Sequence, residues 1–130
     1  MENATYYVEI EESSRELTLK ERVALKQAGG ANKLDELTAN GDVLIAPVGY
    51  AVLKIHNDKS ADKDYKQDVV FDKSGERYVT GSNSFFTSFL DIFRELNGEN
   101  GEMLEDYQLR VFRKPSKNYA GKSFLSCDVI

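Results

Sequence analysis

Cationic and aromatic residues are concentrated in two segments of this chain, 54–66 and 108–122. The first segment contains the candidate binding residues Lys54, His56, Lys63, Tyr65 and Lys66. The second contains the candidates Gln108, Arg110, Phe112, Arg113, Lys114, Lys117, Tyr119 and Lys122. Cations of this kind contact phosphate groups, and exposed aromatic rings stack on unpaired bases. The pattern predicts a surface for single-stranded nucleic acid, with Tyr65, Phe112 and Tyr119 as the stacking rings.

The two segments differ in their charge balance. No acidic residue lies in 110–122, whereas three aspartates nearly cancel the lysines of 57–66, so an ordinary solvated loop remains an alternative there. Phe112 is either a stacking ring or an apolar group covered by the N-terminal part of the chain, residues 1–40. His56, the only histidine, is either part of the binding surface or an ordinary hydrogen-bonded surface residue.

Composition places the chain among ordinary globular proteins. It has 130 residues, of which 41% are hydrophobic and 30% charged, and a net charge of −5. The acids cluster in 91–106, so an acidic chain can still bind a polyanion through its basic segment. No apolar run approaches the roughly 20 residues of a membrane span, and the N-terminus lacks the pattern of a secretory signal. We therefore expect a cytoplasmic protein with no membrane partner.

The residue patterns of common catalytic and cofactor sites are missing from the sequence. A single histidine leaves no pair for a metal, and neither a Gly-rich phosphate loop nor a Gly-x-Ser-x-Gly motif occurs. One cysteine, Cys127, excludes an internal disulfide and a Cys-rich zinc site, and its alternation with Leu125 and Val129 indicates a buried core thiol. We expect a non-catalytic protein without metal or cofactor.

Residues 1–40 are predicted to form an N-terminal arm with one strand and one short helix. Residues 5–11 alternate between apolar and polar types, as a half-buried strand does. Thr18 and Glu21 form a capping-box pattern that begins a helix over about 19–28, and a glycine pair ends it.

Residues 41–130 are predicted to form one mainly β domain that contains a helix. The predicted strands are 43–56, 67–72, 77–80, 105–113 and 123–129, and the predicted helix between the third and fourth of them is 85–97. Pro47 and Gly49 should bend the first strand. The order strand, strand, strand, helix, strand, strand is that of an OB-fold, a five-stranded partly open barrel, and the helix would plug it with a phenylalanine stripe. In that fold the ligand lies across the second and third strands, between the loops 57–66 and 114–122.

Two stretches resemble a known family. They are VFDKSGERYVTGSNSFF, from Val70 to Phe86, and YQLRVFRKPSKNYAGKSF, from Tyr107 to Phe124. With the helix between them, they are similar to the small OB-fold single-stranded DNA-binding proteins of phages and conjugative plasmids in Gram-positive bacteria, and most of all to the conjugation-associated members from enterococcal pheromone-responsive plasmids. The resemblance covers about 43–130 and implies a DNA-coating role in plasmid transfer or phage replication. The chain has no Trp for stacking, which implies weaker binding per base.

The arm suggests how such coating would be organised. The alternating Tyr6, Val8 and Ile10 could add a strand to the sheet edge of a neighbouring copy, which would build an open filament. We therefore expect sequence-independent binding of single-stranded DNA, some binding of duplex DNA, and self-association through the arm. The alternative is a mobile-element protein-interaction module that binds a host or transfer protein through its acidic 91–106 surface and binds no nucleic acid.

Overall fold

The computed structural model describes residues 6–26, 32–59, 63–116 and 123–130, and the fold is mainly β, with 47% of the chain in strands. The strands are β1 (Tyr6–Ser13), β2 (Asn32–Lys33), β3 (Val43–Ile45), β4 (Pro47–Asn57), β5 (Asp64–Asp72), β6 (Arg77–Thr80), β7 (Leu109–Pro115) and β8 (Ser123–Val129). The helices are α1 (Leu19–Lys26), α2 (Leu34–Leu37) and α3 (Asn83–Leu96), and a 3-10 turn spans Thr38–Asn40. Within the described ranges, no helix has the length and apolar character of a membrane span.

Two sheets share one nearly continuous segment of chain. The five-stranded sheet has the order β1-β4-β5-β6-β2 and the three-stranded sheet the order β3-β7-β8. The neighbours are antiparallel except for β2 and β6, which are parallel. Only Ala46 separates β3 from β4, and the pairing with β5 shifts register between Pro47 and Gly49. The predicted bend is confirmed: this segment joins the two sheets.

The order of elements from residue 43 agrees with the prediction, with the first strand divided into β3 and β4. Between β6 and β8 no pairing occurs in the part of the chain that the structure describes, and the two sheets are not closed into a barrel. The mainly β class with a few helices therefore holds, while the five-stranded barrel stays a prediction.

The main core lies between the two sheets and α3. Helix α3 begins where the Ser82 hydroxyl accepts a hydrogen bond from the Phe85 amide at 3.3 Å. Its apolar stripe is confirmed, because Phe85, Phe89 and Phe93 are buried against residues of both sheets. Cys127 belongs to this core, as predicted, and burial raises the pKa of its thiol to about 12.

A second core lies on the opposite side of the five-stranded sheet, under α1. Successive residues alternate between the two cores, so that Val70 faces α3 and Val69 faces α1. The predicted capping box is present at the start of α1. The Thr18 hydroxyl accepts from the Glu21 amide at 3.2 Å, and the Glu21 carboxylate accepts from the Thr18 amide at 3.0 Å.

Arm residues enter both cores. Val8, Leu17 and Leu25 contribute to the core under α1, and Leu34 of α2 is fully buried in the main core. The elements β2 and α2 differ from the prediction, which gave the arm only one strand and one short helix. The short β2 has no periodicity of its own and forms through its parallel pairing with β6.

The strand predicted over 105–113 begins later, at Leu109, because the chain before it is tied to the end of α3. The Tyr107 hydroxyl donates to Asn97 Oδ1 at 2.5 Å, and Asn97 Nδ2 donates to the carbonyls of Pro47 and Gly101 at 2.9 and 2.8 Å. Gly101 has a φ of 85°, and a Cβ atom there would lie 2.1 Å from the Val48 carbonyl oxygen. These hydrogen bonds join the end of α3 to the start of β4.

Candidate nucleic-acid interface

One face of the three-stranded sheet points away from the main core. Along β7, Leu109 and Val111 are buried, and Arg110 and Phe112 lie on the opposite face, as predicted. The same face carries Leu44, Lys114, Phe124 and Ser126, and we call these six residues the β7–β8 platform. Within this set, Leu44 is 48% exposed and Phe124 is 38% exposed.

The strand register places the two platform rings close together. Phe112 lies opposite Ser126, and Phe124 lies opposite Lys114, so the two phenylalanines are diagonal neighbours on adjacent strands. Diagonal neighbours on one face are about 7–8 Å apart, within reach of aromatic side chains. Two partly exposed rings in this arrangement can each take one face of an unpaired base.

Arg110 is held by its own surroundings. Its guanidinium lies over the Phe112 ring at 4.7 Å from the centroid and donates to both carboxylate oxygens of Asp128, at 3.2 and 2.9 Å. Asp42 lies 3.7 Å away on another side. The hydrogen bonds that Arg110 donates to Asp128 raise the pKa of its guanidinium. Arg110 therefore orients the Phe112 ring, and a phosphate would have to compete with two carboxylates for its charge.

Lys114 is the open cation of the platform. It is exposed at the end of β7, and the described residues include no ion-pair partner for it. The predicted residues Lys117, Tyr119 and Lys122 lie outside the described residues. Gln108 is exposed just before β7. Arg113 lies on the other face of the strand and donates to the Asp35 carbonyl at 2.5 Å and to the Ser123 hydroxyl at 3.3 Å.

The β4–β5 hairpin, residues 54–66, contains the other group of predicted binding residues. Its histidine forms hydrogen bonds with two aspartates. Nδ1 of His56 lies 2.7 Å from Asp64 and Nε2 lies 2.7 Å from Asp58, and these hydrogen bonds raise the pKa of His56. The Tyr7 ring stacks on the imidazole at 5.0 Å. Because the carboxylates occupy opposite ring nitrogens, these three groups cannot converge on one metal ion.

The other residues of the hairpin are only partly available to a ligand. Lys66 pairs with Glu11 at 3.3 Å, while Lys54 and Lys63 are exposed. Tyr65 is half-buried and packs against the core under α1, so its ring is not an open stacking surface. The exposed ring of this region is Tyr7, with 52% of its surface accessible.

Two exposed aromatic rings, those of Phe124 and Tyr7, were not among the residues predicted from the sequence. Phe124 alternates with the buried Leu125 and Cys127, so its outward position could have been read from the pattern of β8. Tyr7 could not be identified as a surface ring, because the sequence does not show that β1 lies beside His56.

The arm strand pairs within its own chain. Val8 is buried and Ile10 is half-buried, opposite Ile55 and Leu53 of β4, and nothing is described of the Tyr6 side chain. Strand β1 lies at the edge of its sheet, so one side of its backbone is open to another strand. Self-association through the arm would use this open edge or an exchange of β1 between copies, and it stays a prediction.

The α1 side of the five-stranded sheet is covered. Val69 of β5 and Val79 of β6 are buried in the same cluster as Leu17 and Leu25 of the arm. A ligand lying across β5 and β6 on this side would have to displace the arm. The β7–β8 platform is the aromatic and cationic sheet face that the structure leaves open.

Comparison with known proteins gives no match to this chain, whether with protein-family models, curated proteins or solved structures. The resemblance described above therefore rests on residues 70–86 and 107–124, on the helix between them and on the order of the elements.

Proposed function

We propose that this protein is a non-catalytic, largely sequence-independent single-stranded DNA-binding protein. The bases of the DNA would contact its β7–β8 platform. The observation that carries this proposal is the diagonal pair Phe112 and Phe124 beside Lys114, which has no ion-pair partner among the described residues. The resemblance to the OB-fold proteins of phages and conjugative plasmids supports a cytoplasmic DNA-coating role in plasmid transfer or phage replication.

Stacking explains why such a site does not select a sequence. Every base has a π face, and stacking on an aromatic side chain contributes roughly 1–3 kcal/mol per base. Phosphate contacts from Lys114 and from the basic segment that follows it add affinity that falls with salt. Because phosphates are also present on duplex DNA, some duplex binding accompanies the single-strand binding.

The test is the fluorescence anisotropy of labelled oligo-dT, with a matched duplex and a matched RNA, at three salt concentrations. The variant Lys114→Glu with Lys117→Glu reverses one charge of the platform and one of the basic segment that follows it in the sequence, and it should abolish binding. The control, Lys54→Glu with Lys63→Glu, changes the net charge equally on the hairpin and should retain most of the affinity. Equal loss in both variants, or no binding by the native protein at low salt, contradicts the proposal.

Self-association through the arm is the second part of the proposal. A strand from one copy would pair with the open edge of β1, or β1 would exchange between copies. Sedimentation with oligo-dT should show assemblies that are lost when residues 1–12 are deleted. Near-UV circular dichroism checks that the shortened chain is folded, because Val8 is part of a core. Unchanged assemblies in a folded deletion variant contradict this part.

A protein-interaction module is the second candidate function. It is favoured by the exposed acids Asp91, Glu95, Glu99, Glu102, Glu105 and Asp106, with Leu104 exposed among them at 62%. In that case the Lys114→Glu, Lys117→Glu variant would still bind the partner protein. A variant with Leu104 and the neighbouring acids substituted would no longer bind it. Pull-down of a transfer or host protein by the native chain but not by the acidic-surface variant would favour this candidate.

A further inference from the structure

We propose that the cleft between α1 and the five-stranded sheet binds a small aromatic anion. The cleft has a volume of about 370 Å³, within the range of small-molecule sites. It lies on the opposite side of the five-stranded sheet from the main core, so it is separate from the DNA-binding surface proposed above and does not depend on it.

The walls of the cleft are mainly apolar. Leu25 and Ala24 of α1 form one wall, and Phe71 of β5 and Val48 of β4 form the other. Phe71 is half-buried and packs against the core under α1. A flat ring fits this chemistry, because it removes apolar surface from water on both sides and can contact the Phe71 ring.

The acids that line the cleft already have partners. Glu21 accepts two hydrogen bonds from the Arg15 guanidinium, at 3.1 and 2.6 Å, and Arg15 lies over the Phe71 ring. Asp72 accepts from the backbone amides of Ala46 and Ser74 at 2.6 and 2.8 Å. Arg15 thus neutralises Glu21, and the two backbone amides hold the Asp72 carboxylate in place.

Two cations of the cleft have no such partner. Neither Lys20 of α1 nor Arg77 of β6 makes a hydrogen bond or ion pair through its side chain to the residues that the structure describes. Both line the cleft together with its apolar residues. A planar carboxylate or phosphate can accept two parallel hydrogen bonds from Arg77, and Lys20 adds a second charge. The cleft thus selects a ring that carries one acidic group.

The probe is 2-naphthoate, with the neutral 2-naphthalenemethanol as the matched control ligand. Calorimetry should show saturable binding of the acid and at least about tenfold weaker binding of the alcohol, because hydrogen bonds to charged groups contribute more than neutral ones. The amide resonances of Ala24 and Gly75, which line the cleft, should shift on titration. The melting temperature should rise with ligand, since the ligand binds the folded state.

Substitutions in the cleft and on the platform test where naphthoate binds. Arg77→Gln should weaken naphthoate binding at least about tenfold, and Lys20→Gln, at an exposed position that is safe for folding, should weaken it several-fold. Lys114→Gln on the platform should leave naphthoate affinity unchanged, and Arg77→Gln should leave oligo-dT affinity unchanged. No saturable binding in the millimolar range, equal binding of the neutral alcohol, or loss of binding in Lys114→Gln but not in Lys20→Gln overturns the proposal.

Discussion

The β4–β5 hairpin and the β7–β8 platform contain similar residues and differ in how those residues are paired. In the hairpin, His56 lies between two aspartates and Lys66 pairs with Glu11, while Lys54 and Lys63 are exposed. On the platform, Arg110 is paired, but Lys114 is exposed, and the half-buried Phe112 lies beside the exposed Phe124. Cations in a sequence therefore indicate a binding surface only where the fold leaves them without acids. Aromatic residues indicate a binding surface only where the other face of their strand packs in the core, because their rings then point to solvent.

The largest expected difference between the two regions concerns the rings. Phe112→Ala with Phe124→Ala should lower oligo-dT affinity by about 30-fold or more, since two stacked bases contribute roughly 1–3 kcal/mol each. Tyr7→Ala, which removes an exposed ring beside the hairpin, should change affinity less than about twofold, because no second open ring lies beside it among the side chains that the structure describes. Anisotropy with labelled oligo-dT measures both. A comparable loss in Tyr7→Ala would show that the hairpin also stacks on bases.

The next effect concerns stability at the base of the hairpin. Burial raises the pKa of Asp68 to about 6. The protonated carboxyl group therefore makes its full contribution to stability below the unfolded pKa of 3.8, and this contribution is lost as pH rises through about 6. Asp68→Asn should therefore stabilise the protein by about 1–2 kcal/mol near pH 8 and much less near pH 4. Urea unfolding at both pH values measures this difference. An equal gain at both would show that ionisation is not the cause.

A smaller effect separates the open lysine from the paired one. Lys114→Gln should lower oligo-dT affinity several-fold at low salt and reduce the slope of log affinity against log salt by roughly 0.7, the value for one phosphate of a single strand. Lys66→Gln should leave the slope unchanged, because Glu11 already neutralises that ammonium. The same slope change in both variants would remove the distinction between the two regions.

The smallest effect concerns the hairpin histidine. Its two carboxylates raise the pKa of His56 above its ordinary 6.5, so the local stabilisation is present below 6.5 and is lost as pH rises through the raised value. Proton NMR should place the midpoint above 6.5, and Asp64→Asn should lower it. Native oligo-dT affinity should not follow this midpoint. If it does, His56 belongs to the binding surface.

Local periodicity explains what could be predicted from the sequence. The α3 stripe, the capping box at Thr18 and the outward Phe112 all follow from spacings within one element. The bend at Pro47 follows from the restricted backbone of proline beside glycine. These features need no information about the rest of the chain.

Features that depend on pairing between distant segments could not be predicted. The contact between His56 and Asp64 follows from the hairpin register, and the salt bridge between Lys66 and Glu11 requires β1 to lie beside β4. The late start of β7 follows from the hydrogen bond between Tyr107 and Asn97. The inward turn of Tyr65 depends on which side of the sheet the arm covers, and no local pattern determines that side.

The division of one segment between two sheets has a consequence for the order of synthesis. Strand β1 leaves the ribosome before its partner β4 exists, and β3 must wait for β7, which pairs Val43 with Val111. The three-stranded sheet, with the platform, cannot be completed until β8 has been made. Non-local pairing of this kind folds slowly, on a scale of milliseconds to seconds. Until then, the apolar row of Val8 and Ile10 is exposed on each nascent chain, where it can meet the same row on a neighbouring one.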